Sequence, residues 1–129
     1  MLRRGLSLFS ALYPSSLASS SSPSPRQLKE MVTKDFVNQT IAQNRVVIFS
    51  KSYCPYCKRA KDLFTTAFPG VEVKVLELDI RDDGPEIQGY LLQLTDQRTV
   101  PNIFINQKHI GGNDKLQALH KADEVRALL

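Results

Sequence analysis

The two cysteines of the chain lie at a junction between a strand-like and a helix-like segment, and this junction constrains the fold more than any other feature. Val46-Val47-Ile48-Phe49 is a run of β-branched and aromatic residues, which is typical of a strand buried on both faces. After a short loop, Cys54-Pro55-Tyr56-Cys57 begins a segment whose apolar residues recur at helical spacing as far as Ala67. Pro55 suits the first position of a helix, because the N–H that proline lacks would have no intrahelical partner there. The junction therefore predicts a strand, a loop and a helix, with both thiols in the first helical turn.

Segments on either side of this junction alternate between the same two patterns. Leu28, Val32, Phe36 and Ile41 follow a helical period, which predicts a helix that ends near Asn44. The remaining predicted elements are a strand over 71–78, a helix from Pro85, strands over 103–105 and 108–110, and a last helix from Asn113. Alternating strands and helices indicate an α/β domain whose sheet is covered by helices on both faces. The first strand, helix and strand are expected to form a right-handed parallel crossover.

The sequence also predicts how the later elements begin and which residues they bury. Asp83 is expected to cap the helix that begins at Pro85. Asn106-Gln107 is expected to form the turn of a hairpin between the two short strands. The inward-facing residues predicted for the two later helices are Ile87, Leu91 and Leu94 in the first and Leu119, Ala122, Val125 and Leu129 in the second.

The spacing of Cys54 and Cys57 points to chemistry more than to scaffolding. A disulfide between residues this close would close only a tiny loop and would stabilise the fold very little. The first turn of a helix presents unpaired N–H groups and the positive end of the helix dipole, which lower the pKa of a thiol placed there. Cys54 is therefore the expected nucleophile, and Cys57, almost one turn deeper, is the expected resolving thiol. Cationic residues near this turn are expected to add to the effect: Lys51, Lys58, Arg59 and Lys61.

A zinc half-site is the main alternative for the cysteine pair, and the rest of the sequence does not complete it. Zinc would need two more ligands, and the chain has no further cysteine. His109 and His120 are the only histidines, and they fall on a predicted strand and a predicted helix. We therefore expect no metal, and we expect His109 and His120 to be surface residues.

The excess of basic over acidic residues lies entirely in the N-terminal part of the chain. The formal net charge is +4, and residues 1–29 contain four basic residues and no acidic one. The remaining basic and acidic residues cancel, so the folded domain offers no general basic surface for nucleic acid. No run of about 18 apolar residues exists, and a membrane-spanning helix is not expected.

Residues 1–26 are predicted to be a targeting leader followed by a disordered segment rich in serine and proline, and residues 27–129 to be the folded domain. Leu2, Leu6, Phe9 and Tyr13 fall at helical spacing in a segment that contains arginine and serine but no acid, which favours a mitochondrial transit peptide. A secretory signal with Ser16-Leu17-Ala18 as cleavage site, or an untargeted tail on a cytoplasmic protein, are the alternatives.

Over residues 27–129 the chain resembles the dithiol glutaredoxins. Three motifs in order carry the resemblance: Lys51-Ser52-Tyr53-Cys54-Pro55-Tyr56-Cys57, Arg98-Thr99-Val100-Pro101 and Ile110-Gly111-Gly112-Asn113-Asp114-Lys115-Leu116. Thioredoxins differ in having a tryptophan before Cys-Gly-Pro-Cys, and this chain has no tryptophan. The resemblance implies a thioredoxin-like fold, with a four-stranded mixed sheet flanked by helices and a cis bond between Val100 and Pro101.

The resemblance also implies a glutathione site. Lys51, Gln88 and Arg98 would hold the glycyl carboxylate of glutathione. The backbone of Val100, between Thr99 and Pro101, would pair with the cysteinyl part as an added strand does. The residues implied for the remaining contacts are Gly112, Asn113 and Asp114 at the γ-glutamyl group and Tyr56 beside the sulfur.

The activity implied is that of a glutathione-dependent disulfide oxidoreductase, acting as a monomer on glutathionylated or disulfide-containing proteins. Two other hypotheses stay open at this point. Some members of the family carry an iron–sulfur cluster on the first cysteine across a dimer, although Pro55 argues against that here. A disulfide oxidase of secreted proteins would require the leader to be a secretory signal.

Overall fold

The computed structural model describes residues 21–129, and the predicted targeting leader lies almost wholly outside them. These residues form five helices and four strands in the order α1 (Pro25–Gln43), β1 (Val46–Ser50), α2 (Pro55–Ala67), β2 (Val73–Glu77), α3 (Gly84–Thr95), β3 (Asn102–Ile105), β4 (Lys108–Gly111), α4 (Asn113–Lys121) and α5 (Val125–Leu128). Helix α1 begins two residues before the predicted start of the domain. Ser24 caps it by accepting a hydrogen bond from the Gln27 N–H, and residues 25 and 26 are helical.

The sheet is mixed and has the strand order β2-β1-β3-β4. Strand β1 pairs in parallel with β2 and antiparallel with β3, and β3 pairs antiparallel with β4. Ile48 at the centre of β1 lies opposite Val75 on one side and Ile103 on the other. This arrangement confirms the predicted parallel crossover, the hairpin and the four-stranded mixed sheet.

Strand β1 supplies both faces of the core, as its unbroken apolar run predicts. Val46 and Ile48 face a cluster with α2, α4 and α5, whereas Val47 and Phe49 face a cluster with α1 and α3. The four side chains are fully buried. The ring of Phe49 also contacts Phe104 edge to face, with 6.0 Å between centroids.

Helix α1 buries only part of the set of apolar residues on which its prediction rests, Leu28, Val32, Phe36 and Ile41. Of this set, Leu28 and Val32 are 47% and 67% exposed, Phe36 is half-buried against the core and Ile41 is buried. The other buried residues of the helix are Thr33, Val37 and Thr40. Threonine is tolerated on this face because its hydroxyl can bond within the helix, as Thr40 Oγ1 does by donating to the carbonyl of Phe36 at 2.7 Å.

The start of α3 depends on a glycine that packs against the preceding strand segment. A Cβ atom at Gly84 would lie 1.9 Å from the carbonyl oxygen of Leu78, so no other residue fits there. Asp83 occupies the capping position as predicted, but its carboxylate accepts from the Arg81 guanidinium at 2.8 Å and not from the helix. At the other end of α3 the prediction for Leu94 was wrong, because this side chain is 45% exposed.

The predicted last helix is divided in two. Helix α4 ends at Lys121, Asp123 adopts a left-handed backbone conformation with φ of 58°, and α5 then begins at Val125. The turn buries Val125 as predicted but leaves Ala122 exposed. Among the described residues, no helix is long and apolar enough to cross a membrane.

Candidate active site

Cys54 lies at the N-cap of α2, as the sequence predicts. Its backbone is extended, with φ of −87° and ψ of 121°, and Pro55 follows as the first helical residue. The Cys54 N–H donates to the carbonyl of Lys51 at 3.1 Å, and its carbonyl accepts from the Lys58 N–H at 3.1 Å. These two hydrogen bonds fix Cys54 between the loop and the helix, so that its sulfur lies at the positive end of α2.

The surroundings of Cys54 favour the thiolate. Partial burial on its own acts to raise the pKa of Cys54, but the combined opposing effects are larger. The backbone N–H groups of Cys57 and Tyr56, the Cys57 thiol and the charge of Lys61 lower it, and the pKa of Cys54 falls below its ordinary value. Cys54 is therefore the thiol that can attack a disulfide near neutral pH.

Cys57 has the opposite character. Its side chain lies on the inner face of α2 and is fully buried, and burial raises the pKa of its thiol. Hydrogen bonds from the Lys51 backbone and the Ser50 hydroxyl offset only part of this rise. Both cysteines are free, so the site is in its dithiol form. Cys57 can react with Cys54 but is closed to a bulky external disulfide.

The loop before Cys54 is held by a carboxylate that sequence reasoning missed. Asp79 follows β2, and its Oδ1 accepts from the Ser52 N–H at 2.9 Å while its Oδ2 accepts from the Ser52 hydroxyl. These hydrogen bonds, first from the hydroxyl and then from the N–H, lower the pKa of Asp79. Because β1 and β2 are parallel neighbours, the residues that follow them meet at one edge of the sheet. That rule was the signal that could have identified Asp79.

The four cations predicted around the cysteines do not contribute alike. Lys61 provides the leading charge effect on Cys54, and its Nζ lies 2.7 Å from Glu77 Oε2. The other cations of α2 are engaged at its outer surface: Lys58 bonds Asp62 at 2.8 Å and Arg59 lies over the Tyr56 ring at 5.3 Å.

Across from Cys54 lies the segment that contains Pro101. The bond between Val100 and Pro101 is cis, as the resemblance implies. The Cys54 thiol faces the carbonyl of Val100, with 3.9 Å between sulfur and oxygen. Pro101 is buried, whereas Val100 is half-buried and keeps part of its surface toward solvent beside the sulfur.

Helix α4 begins next to this segment. Gly112 is its N-cap residue, and a Cβ atom on Gly112 would lie 3.7 Å from the carbonyl oxygen of Pro101. Asp114 is exposed in the first turn, but the Asn113 side chain is buried and accepts from Gln117 at 3.1 Å. The first turn of α4 therefore offers its backbone N–H groups and the Asp114 carboxylate, while the Asn113 amide faces the fold.

The three residues predicted for the glycyl carboxylate lie on two sides of the site. Lys51 is half-buried in the loop before Cys54, and Arg98 is exposed in the segment after α3. The Gln88 amide donates to the carbonyl of Arg98, and its Oε1 is buried with no hydrogen-bond partner in the described part of the chain. Gln88 thus ties the Arg98 backbone to α3, and one of its two N–H groups is left for another acceptor.

Comparison with known proteins agrees with this geometry. The glutaredoxin family model matches residues 46–110. Glutaredoxin-C4 of Arabidopsis thaliana is 44% identical over 114 residues, covering 88% of this chain and 78% of that protein. The chain belongs to the glutaredoxin family.

Other glutaredoxins give the same result. Glutaredoxin-C6 of Oryza sativa subsp. japonica is 50% identical over 91 residues, which cover 70% of this chain and 80% of that protein. A buckwheat glutaredoxin–glutathione complex superposes with a TM-score of 0.75 at 40% identity, covering 83% of this chain and 94% of that one. Glutaredoxins are glutathione-dependent thiol–disulfide oxidoreductases, and the fold and the cysteine pair of this chain are those of a dithiol member.

The two histidines of this glutaredoxin contact residues of the fold and not the cysteine pair. His109 contacts Asn102, with 2.8 Å between Nε2 and Oδ1, and burial followed by the charge of Lys115 lowers the pKa of His109. The His120 ring lies edge to face on Phe68. The described residues include no group of three or more His, Cys, Asp or Glu side chains that could hold a metal ion.

Proposed function

We propose that this glutaredoxin reduces glutathione mixed disulfides and protein disulfides with Cys54 as nucleophile and Cys57 as resolving thiol. The observation that carries the assignment is the contrast between the two thiols. The pKa of Cys54 is lowered at an accessible helix N-terminus, and that of Cys57 is raised by full burial one turn away. Only the first can both reach an external disulfide and attack it as a thiolate.

The reaction with a mixed disulfide requires two exchanges. The Cys54 thiolate attacks the glutathione sulfur, the substrate S–S bond breaks, and the substrate leaves as a thiolate that takes a proton from solvent. Cys54 then carries glutathione as a mixed disulfide. A second glutathione thiolate attacks the glutathione sulfur of this intermediate, which releases oxidised glutathione and restores the Cys54 thiolate. Bonds and electrons balance, since one disulfide is consumed and one is formed.

Protein disulfides can follow a second route. The Cys54 thiolate forms a mixed disulfide with the client, and Cys57 then attacks Cys54, which releases the client as a dithiol and leaves a Cys54–Cys57 disulfide. Two glutathione molecules return this disulfide to the dithiol and form one oxidised glutathione. The Cys57 thiol must lose its proton to attack, and its contacts with the Ser50 hydroxyl and the Lys51 backbone support that step.

We further propose that glutathione lies along the segment between Cys54 and α4. Its cysteinyl part would pair with the backbone of Val100, between Thr99 and Pro101, beside the nucleophilic sulfur. Its glycyl carboxylate would meet Lys51, Arg98 and the remaining N–H of Gln88, which supply two charged donors and one neutral donor. The γ-glutamyl group would be recognised by the residues at the start of α4: Gly112 and Asn113 through their N–H groups, and Asp114 through its carboxylate. Tyr56, 53% exposed, would border the sulfur.

Turnover of a small glutathione mixed disulfide, coupled to glutathione reductase, tests the function directly. We expect the purified chain to turn over in the presence of glutathione and Cys54→Ser to be inactive. Full activity in Cys54→Ser would contradict the assignment of the nucleophile. A folded, reduced wild-type chain without turnover would contradict the function, and anaerobic iron–sulfur reconstitution followed by visible absorbance would then test the cluster-carrying hypothesis.

For localisation, we propose that the N-terminal residues direct the protein to mitochondria. The acid-free sequence with two arginines and helical spacing of apolar residues supports this proposal. A rice relative, 42% identical, is named Glutaredoxin-C4, chloroplastic, so plastids are the organelle to compare. A C-terminally tagged full-length chain, imaged with mitochondrial, plastid and secretory markers, decides between the destinations. Signal outside mitochondria would overturn the proposal.

A further inference from the structure

The segment that faces Cys54 is held from behind by a residue that the proposed glutathione contacts do not include. The Gln97 amide nitrogen donates to the carbonyl of Thr99 and to the carbonyl of Pro101, each at 3.0 Å. These two acceptors flank Val100, whose own carbonyl points to the Cys54 sulfur. One side-chain amide thus uses both of its N–H groups on the two residues on either side of the proposed glutathione-pairing residue.

Gln97 is itself held by a network of polar contacts that runs from the end of α3 to strands β3 and β4. Its backbone N–H donates to the hydroxyl oxygen of Thr95 at 3.1 Å, and this hydroxyl donates to the carbonyl of Leu91 at 2.7 Å. The same oxygen accepts from the Asn102 amide nitrogen at 3.3 Å, and the Asn102 oxygen contacts His109 Nε2 at 2.8 Å.

The residues of this hydrogen-bond network determine each other's donor and acceptor roles. The Asn102 side chain is buried, 1% exposed, so its amide cannot exchange these partners for water. The Thr95 hydroxyl gives its proton to the Leu91 carbonyl, so the Asn102 amide nitrogen must donate to it, and the Asn102 oxygen is then the acceptor that faces His109 Nε2. The network leaves Gln97 little freedom to move.

We propose that Gln97 is a positioning residue that sets the backbone around Val100 for recognition of glutathione, and that Thr95, Asn102 and His109 hold Gln97 in place. This inference rests on the proposed function. Without the two bonds from Gln97, the carbonyls of Thr99 and Pro101 lose their donors and the backbone between them can rotate. The Val100 edge would then no longer match an added strand, whereas Cys54 and its helix N-terminus would be unchanged.

The consequence is specific to glutathione. A disulfide that contains glutathione uses the Val100 edge, whereas a small aromatic disulfide such as dipyridyl disulfide needs only the Cys54 thiolate. Gln97→Met keeps the length of the side chain and removes both donors. We expect it to slow the reaction of reduced protein with a glutathionylated peptide about tenfold, because two hydrogen bonds are lost, and to leave the reaction with dipyridyl disulfide within about twofold.

Stopped-flow measurement of both second-order rate constants on the full-length chain makes the test. Gln97→Leu, which is uncharged, similar in size and has no N–H donor, is the second variant in case Gln97→Met does not fold. Thr95→Val should shift the same ratio in the same direction by a smaller factor. Gln93→Met, at an exposed position of α3, is the matched control and should change neither rate.

The outcomes separate the two proposals. A selective loss with the glutathionylated peptide, in a variant whose thermal unfolding is cooperative, supports the positioning role. Equal slowing with both disulfides, or slowing with neither, overturns it while leaving the proposed function intact. If the wild-type chain fails to react with the glutathionylated peptide but reacts with dipyridyl disulfide, the proposed function itself fails, and the role of Gln97 fails with it.

Discussion

Cys54 is the N-cap residue of α2 and Cys57 lies three residues further on in its first turn, but the fold gives the two thiols opposite surroundings. Cys54 lies at the N-cap, faces the Val100 carbonyl and is only partly covered. Cys57 is fully enclosed, and its burial raises its pKa, whereas the N–H groups of the helix start and the charge of Lys61 outweigh burial at Cys54. The comparison shows that a three-residue offset along a helix is enough to separate an attacking thiol from a resolving one, because the helix-terminus field and solvent access both fall off within one turn.

Removing the nucleophile is the most severe way to test this contrast. Cys54→Ser should lower glutathione-dependent turnover of a mixed disulfide by at least about a thousandfold, because an alcohol does not ionise near neutral pH and no second accessible thiol replaces it. The coupled glutathione reductase assay measures the loss. Cys57→Ser, which changes the neighbouring thiol in the same way, is the control.

Removing the resolving thiol should lower the rate with protein disulfides much more than the rate with glutathione mixed disulfides. In Cys57→Ser we expect mixed-disulfide turnover to stay within about threefold of wild type, while reduction of a protein disulfide falls at least about tenfold, because the client is no longer released intramolecularly. Rates with a glutathionylated peptide and with a disulfide-bonded protein, measured side by side, give the ratio. An equal loss on both substrates would show that Cys57 supports the structure of the site more than it resolves.

The pH dependence of alkylation should report the two thiols separately. Since its pKa is lowered, Cys54 should react with iodoacetamide at full rate below the usual thiol pKa of about 8.5, and lose rate only as the pH falls through its own pKa. In Cys54→Ser, the raised pKa of Cys57 shifts its reaction to higher pH than for a free thiol. Profiles that coincide for the two cysteines would refute the contrast.

The carboxylate that holds the loop before Cys54 should have a smaller effect. Asp79→Asn replaces the carboxylate that accepts hydrogen bonds from the Ser52 hydroxyl and N–H. We expect activity to fall by about three- to fivefold, because the loop before Cys54 is then held less firmly. The pKa of Asp79 is lowered in the fold, so its contribution to stability is present above the unfolded carboxyl pKa of about 3.9 and is lost as the pH falls through the folded value. Acid titrations of unfolding for wild type and Asp79→Asn should converge at low pH. Asp82→Asn, an exposed neighbour, should follow wild type throughout.

The weakest expected effect comes from the ion pair behind the helix start. Replacing Lys61 and Glu77 together by Met and Gln removes the cation that acts on Cys54 without leaving its partner unpaired. The pKa of Cys54 should rise, and alkylation at neutral pH should slow by less than about fivefold, because charges at this depth are partly screened. The same exchange at the exposed pair Lys58 and Asp62 should leave the rate unchanged. Equal slowing in both double variants would mean that general charge, and not Lys61, tunes the thiol.

Much of the fold follows from local patterns, and the exceptions have physical reasons. The unbroken apolar run of β1 correctly predicts burial on both faces, because strand side chains alternate and both faces are covered. In α1 the predicted period holds for Ile41 but not for Leu28 and Val32, which are exposed, while Thr33 and Thr40 are buried and Thr40 donates its hydroxyl to the carbonyl of Phe36. The division of the last helix at Asp123 was also missed. It depends on the left-handed backbone of this one residue, which the spacing of apolar residues does not indicate.

The sequence by itself determined the strand–loop–helix junction, the place of Cys54 at the helix start and the deeper position of Cys57, because these depend on residues within a few positions of each other. The tertiary structure decided which distant groups surround them. Asp79 reaches Ser52 across 27 positions and the Val100 carbonyl reaches Cys54 across 46. Such contacts depend on the strand order and on the orientation of each loop at the edge of the sheet, and the local periodicity of the chain does not contain that information.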